Sequence, residues 1–157
     1  DAATGEELWR FDAEAEPVGP PILDRKRVLL VVADRLIMVD VRTGEAQSDY
    51  PLPGIVTAPV LFKTILVYGT REGEVVAFDS RTGKEKSKTK VADRAVSTAL
   101  VQAGPLVYGA VEEVLFAVDA SKGRVVWTFE AKAPFMAPAI ANKCIYVGAG
   151  TTFYCLK

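Results

Sequence analysis

Apolar residues in this chain fall in short dense runs rather than in spaced stripes. The densest lie at 28–32, 65–68, 106–108 and 144–147, and each is followed, after a short turn, by a second run at 36–39, 75–78, 114–118 and 153–156. Between these blocks stand polar stretches of alternating character at 6–12, 45–51, 84–90 and 124–130, and stretches of small residues at 18–23, 56–61, 96–101 and 135–140. Runs of about five residues, rich in β-branched and aromatic side chains and bounded by Gly, Asp and Pro, predict strands. No stretch carries the i, i+3, i+4 spacing of an amphipathic helix, so the chain is expected to be all-β.

Each alternating polar stretch is introduced by Asp-x-x-(Thr/Lys)-Gly, at 1–5, 40–44, 79–83 and 119–123. The spacings of 39, 39 and 40 residues divide the chain into four copies, 1–39, 40–78, 79–118 and 119–157. A period of that length with four strands per copy is the mark of a β-propeller blade. The turn has a mechanical basis. An Asp carboxylate at the end of a strand accepts hydrogen bonds from backbone N–H groups two or three residues on, and Gly supplies the left-handed conformation that restarts the hairpin. Asp1, Asp40, Asp79 and Asp119 are therefore expected as turn formers, one per copy, rather than as a convergent metal or acid–base site.

Lys157 aligns with Asp40, Asp79 and Asp119. The first copy thus opens with a polar strand that has no earlier strands, and the last copy has three strands without a fourth. The expected organisation is a single propeller domain over 1–157 whose last blade is completed by strand 6–12, which satisfies edges otherwise open to pairing. The complement comes either from the same chain or from a neighbouring one.

The turns extend into a longer motif. The chain reads Asp1-Ala-Ala-Thr-Gly-Glu-Glu-Leu-Trp9 at its start and Ala117-Val-Asp119-Ala-Ser-Lys-Gly123-Arg-Val-Val-Trp127 in the fourth copy, while Ser48 and Ser87 stand at the Trp position of the second and third. This resembles the pyrroloquinoline-quinone-type (PQQ-like) propeller repeat along the whole chain. The resemblance implies four-stranded blades in which each Trp docks on the neighbouring blade's turn, so that Ser48 and Ser87 should weaken their seams. Because propellers of this type usually close with seven or eight blades, four repeats make either a small four-bladed ring or half of an eight-bladed one, the latter as a fragment or as a homodimer that pools eight blades.

For function, the resemblance implies a non-catalytic scaffold for protein–protein interaction and points to an extracytoplasmic setting. The alternative it carries is a quinone-cofactor-binding protein or a degenerate PQQ-dependent dehydrogenase. Such dehydrogenases add a vicinal Cys pair over the cofactor, a calcium site of carboxylates and amides, and a catalytic Asp near the axis. Here Cys144 and Cys155 are eleven apart and Asn142 is the only Asn. No cofactor, metal ligand or catalytic residue is therefore expected.

Composition narrows the classes further. Half the residues are apolar, which suits a packed core, and 19 basic against 20 acidic side chains leave a net charge of −1 without a basic patch for nucleic acid. There is no histidine, which removes the commonest metal ligand and general base. No apolar run approaches the ~20 residues that span a bilayer, so no membrane insertion is expected. The first residue already sits inside a repeat, so no signal peptide is expected either.

In a propeller the first strand of each blade lines the axis. Its facing columns are expected to be Gly19, Thr57, Ser97 and Met136, then Pro20, Ala58, Thr98 and Ala137, then Pro21, Pro59, Ala99 and Pro138. Small residues pack a narrow axis; the weak candidates for a small-ligand site there are Thr57, Ser97, Thr98 and Met136. Loops 12–17, 49–54 and 130–134, with Tyr50, Phe129 and Phe135 in or beside them, are the expected partner-binding surfaces. A two-residue turn at Ala149-Gly150 would set Cys144 directly opposite Cys155, where the two either form a disulfide or pack as small apolar groups.

Overall fold

A computed structural model describes residues 3–157; the turn expected at Asp1 begins outside the described residues. The chain divides into two compact units, Asp1–Pro53 and Gly54–Lys157, and each is described by itself. Among the described residues there are fifteen strands and no helix, hence no helix long and apolar enough to cross a membrane.

The first unit holds one antiparallel sheet of β1 (Ile22–Asp24), β2 (Arg27–Val32), β3 (Arg35–Asp40) and β4 (Ala46–Pro51), paired in chain order. The second holds three sheets: β5 (Val60–Phe62), β6 (Ile65–Gly69), β7 (Glu74–Asp79) and β8 (Lys84–Lys90); β9 (Val101–Ala103), β10 (Leu106–Val111), β11 (Val114–Asp119) and β12 (Arg124–Glu130); and the three-stranded β13 (Ala139–Ala141), β14 (Cys144–Ala149) and β15 (Thr152–Leu156). This is the expected blade four times over, the last with three strands.

The outer strands follow the expectation closely, and each repeats one irregularity. The ladder slips between Met38 and Val39, between Ala77 and Phe78, and between Ala117 and Val118, so that Gln47, Lys86 and Val126 are bulged out. A bulge bends and twists the strand at a fixed point. It recurs one residue before Ser48, Ser87 and Trp127, and so sets how each is aimed.

Two expectations are corrected. Residues 6–12 carry the alternation of a strand but are not in one, because alternation alone supplies no neighbour for the backbone groups. Their apolar positions are nevertheless placed: Trp9, Phe11 and Ala13 pack on buried Val32, Ile37 and Val39 of the first sheet. The inner strands are also shorter and later than 18–23, 56–61, 96–101 and 135–140. They shrink to three residues each, preceded by isolated bridges at Pro17, Ile55 and Phe135.

The cause lies in the inner segments themselves. Pro20, Pro21, Pro59 and Pro138 bring no backbone donor. At two places a side chain replaces the ladder: the Thr57 hydroxyl accepts the Gly69 N–H and the Thr98 hydroxyl accepts the Ala110 N–H, both at 2.8 Å.

Within the second unit the core lies between sheets. Val67, Val75 and Ala77 of the second sheet pack with Val96, Leu100, Val107 and Phe116. Tyr108, Leu115 and Ala117 of the third pack with Phe135, Ile145 and Val147. One face of the second sheet and one of the third are thus buried by the sheet that follows in the sequence.

Candidate interaction surface

The turns behave as the Asp-x-x-x-Gly pattern requires. Asp40 Oδ1 accepts the Arg42 and Thr43 N–H groups at 2.8 and 3.1 Å, Asp79 Oδ1 those of Arg81 and Thr82, and Asp119 Oδ1 those of Ser121 and Lys122 together with the Ser121 hydroxyl. The backbone N–H groups of Arg42 and Thr43 hold the Asp40 carboxyl below its ordinary pKa. The Ser121 hydroxyl, followed by the Lys122 and Ser121 N–H groups, does the same for Asp119. The bulged residues reach back to the same carboxylates, Gln47 Nε2 to Asp40 at 3.0 Å and Lys86 Nζ to Asp79 at 3.8 Å. That role was missed in the sequence, although the offset of seven residues from Asp recurs in both copies.

Where the outer strand meets the next turn, the geometry follows one rule. The Trp9 indole N–H donates to the Val41 carbonyl at 2.9 Å, one residue after Asp40. Gly44 lies so close beneath the ring that a Cβ there would stand 2.8 Å from Trp9 Cδ2. In the third sheet's turn, Gly123 approaches Ser87 closer still, with 2.4 Å from a built Cβ to Ser87 Cβ. At Ser87 the turn thus lies directly against the outer strand, whereas at Trp9 the indole ring stands between them.

Trp127 occupies the same station on β12. Trp127, Phe129 and Ala131 lie against the fourth sheet beside Tyr154 and Leu156, as Trp9, Phe11 and Ala13 lie against the first. Beyond Trp127 opens a cavity of about 520 Å3, lined by Tyr108, Trp127, Phe129 and Ile140 with Lys143 and Lys157 among its walls. Among the described residues the Trp127 indole N–H has no acceptor.

The fourth sheet differs from the others in one further respect. Its register sets Tyr146 opposite Cys155 and Gly148 opposite Phe153. The same stations hold Leu29, Met38, Val31 and Leu36 in the first sheet, Val67, Ala77, Gly69 and Val75 in the second, and Tyr108, Ala117, Ala110 and Leu115 in the third. Every one of those twelve is buried. At the last station Leu36, Val75 and Leu115 are 0, 2 and 0 % exposed, whereas Phe153 is 83 % exposed. Met136 (65 %) and Phe153 both lie over Gly148, within 3.7 Å of a built Cβ. An apolar face that is core in three sheets is thus surface in the fourth.

The axial candidates do not present free polar groups. Thr57 and Thr98 are buried and hold the backbone bonds described above. The Ser97 hydroxyl donates to the Ala110 carbonyl at 3.1 Å and accepts the Glu112 N–H at 2.9 Å. Backbone bonds from Val56 to Gly69, Ser97 to Ala110 and Met136 to Gly148 also correct the alignment of the columns, so that Thr57 matches Thr98 and Ala137, and Ser97 matches Val56 and Met136.

The loops offer less than expected. Phe135 is buried, packed with Phe129 and Tyr154 at ring separations of 6.1 Å each, and Tyr50 lies within β4. The register also moves Cys144 off Cys155 onto the diagonal, and both are free thiols. Burial, then the neighbouring Cys155, pushes the Cys144 thiol above its ordinary pKa. These residues do not fit the quinone cofactor of related enzymes: the cysteines are not vicinal, and among the described residues no three His, Cys, Asp or Glu side chains group to hold a metal.

Comparison with known proteins agrees with this architecture. The family model for PQQ-like repeats described as outer membrane protein assembly factor BamB matches residues 1–49 and 35–155. Among solved structures, the computationally designed Ika4 protein aligns with a TM-score of 0.80 at 20 % identity, covering 98 % of this chain and 100 % of that one. BamB from Moraxella catarrhalis aligns at 0.74 and 19 % identity, over 97 % of this chain and 52 % of its own. The designed Ika8 protein aligns at 0.73 and 19 % identity, over 86 and 44 %. The chain therefore spans about half the length of BamB and of Ika8. The RRP9 WD40 repeats align at 0.65 and 14 % identity, over 80 % of this chain. Identities this low speak for the fold, which is that of β-propeller proteins. No curated protein matches the sequence significantly.

Proposed function

The chain belongs to the family of PQQ-like repeat proteins described as outer membrane protein assembly factor BamB, and on that premise we propose that it is a non-catalytic protein-binding scaffold. The observation that carries this reading is the division of labour among its side chains. The turn aspartates Asp40 and Asp119 and the axial candidates Thr57, Ser97 and Thr98 are engaged in hydrogen bonds of turns and inner segments. The large surface left open is apolar and aromatic, at Tyr146, Phe153 and Met136. Such a face recognises another protein's apolar surface. Its first partner is a second copy of the chain, so that two chains pool their sheets.

Light scattering over a tenfold or wider concentration range tests the pairing: a species of about 34 kDa is expected, twice the 16.9 kDa chain. Calorimetric titration with pyrroloquinoline quinone and calcium tests the absence of cofactor chemistry. No saturable heat is expected, and calcium-dependent binding with dye reduction would overturn the reading.

A further inference from the structure

We propose that one end of the second unit, where the turns of its three sheets lie side by side, docks by charge on an anionic lipid surface without entering the bilayer. This goes beyond the scaffold reading and stands whether or not two chains pair. The register defines the end. Phe62, Ile65, Asp79 and Lys84 are neighbours in successive strands of the second sheet, as Ala103, Leu106, Asp119 and Arg124 are in the third, and Ala141 and Cys144 in the fourth. At the opposite end the sheets meet each other. Arg94, which follows β8, lies 2.6 Å from Glu112 in the β10–β11 turn. Ala133, which follows β12, lies 3.0 Å from a Cβ built on Gly150 in the β14–β15 turn. All three sheets therefore run the same way, and the turns at their other ends share one side.

Charge separates the two ends. Lys63 and Lys143 in the first hairpin turns, Arg81 and Lys122 in the Asp-led turns, and Lys84 and Arg124 just after those turns are all exposed. Asp79 and Asp119 reach Lys86 and Lys122 at 3.8 and 3.4 Å, but both are buried and accept the N–H groups of their own turns. Among the described residues of this end, Glu85 is then the one exposed carboxylate. The opposite end carries both signs, and they pair: besides Arg94 with Glu112, Lys90 lies 3.4 Å from Asp93 and Lys88 3.3 Å from Glu74. Residues 54–157 hold 13 basic and 9 acidic side chains, a formal +4, although the whole chain has a net charge of −1. The kind of side chain presented favours lipid over protein. Residues 62–65, 79–86, 103–106, 119–124 and 141–144 include none of the exposed large apolar side chains, whereas the core of a protein interface is apolar. Headgroups require no such core: each Lys or Arg held within about 8 Å of an anionic bilayer adds its own attraction. Long cationic side chains rising from turns on one side reach a flat surface together.

The test is co-sedimentation of the 157-residue chain with vesicles of phosphatidylcholine alone and of phosphatidylcholine with about one-third phosphatidylglycerol. Binding is expected to the anionic vesicles only, and to fade as salt rises from about 0.1 to about 0.5 M. Two variants with the same change in net charge locate the contact. Lys84→Glu with Lys143→Glu reverses charge at the turn end and should weaken binding at least about tenfold. Lys90→Glu with Lys132→Glu does so at the opposite end and should leave binding within about twofold of wild type. Far-UV circular dichroism and melting temperature check that both variants fold. Absence of wild-type binding to anionic vesicles overturns the proposal, as does equal weakening by the two variants, which would make net charge rather than this end the cause. Capture by polyglutamate but not by the anionic vesicles also overturns it and assigns the end to an acidic protein instead.

Discussion

At Gly44 a single hydrogen atom decides whether a turn and an indole can meet. Its φ of +75° already favours glycine, and a methyl group there would press into the Trp9 ring. Gly44→Ala should cost about 1–2 kcal/mol for the left-handed backbone, and the clash with the ring adds to it. Truncating the ring removes the clash but not the backbone cost. The double variant with Trp9→Ala is therefore expected to be less destabilised than the sum of the singles, by more than about 0.5 kcal/mol in urea melts; strict additivity would mean that ring and turn do not touch. The turn aspartates set the acid limit by the same local logic. Asp40 and Asp119 titrate lower in the folded chain than unfolded, so their stabilisation is present above the unfolded value near 4 and is lost as pH falls through the folded values. The melting temperature should hold between pH 7 and 5, then fall below about pH 4, with a shallower fall in Asp119→Asn. The raised Cys144 pKa predicts that its thiol is alkylated more slowly at pH 7 than an unfolded-chain thiol, a difference that urea should abolish.

At the scale of the element, two outer strands matched the sequence to the residue while no inner strand did, and the reason is physical. Lys84–Lys90 and Arg124–Glu130 have one face on a sheet and one in water, which writes a period of two into the sequence. The inner segments carry no such period, and their hydrogen bonds run partly through Thr57 and Thr98, whose hydroxyls read in sequence as ligand candidates. Replacing one tests the assignment. Thr57→Val keeps the shape but leaves the Gly69 N–H without its acceptor, for an expected loss of about 1–3 kcal/mol, whereas Thr57→Ser should lose much less. Equal losses would mean that the methyl group, not the hydroxyl, holds the segment. The cysteine register was missed for a smaller reason. The turn lies at Gly150-Thr151, one residue later than expected, and a one-residue shift of the turn moves the partner of every β14 residue by two.

For the molecule as a whole, the sequence made the number and kind of sheets legible because the turn motif recurs at nearly constant spacing. The candidate interface was not legible in the same way. Phe153 looks like Leu36, Val75 and Leu115 in any local window, and only the comparison of equivalent stations shows that it alone is uncovered. The consequence is thermodynamic. If a second copy covers this face, association is linked to folding, and the melting temperature must rise with protein concentration because only the folded chain associates. The expected behaviour is a rise across the range in which the 34 kDa species accumulates, and a flat response for Phe153→Glu. A wild-type melting temperature independent of concentration, alongside a persistent dimer, would mean that unfolded chains associate as well as folded ones do. The exposed aromatic face would then need a different partner.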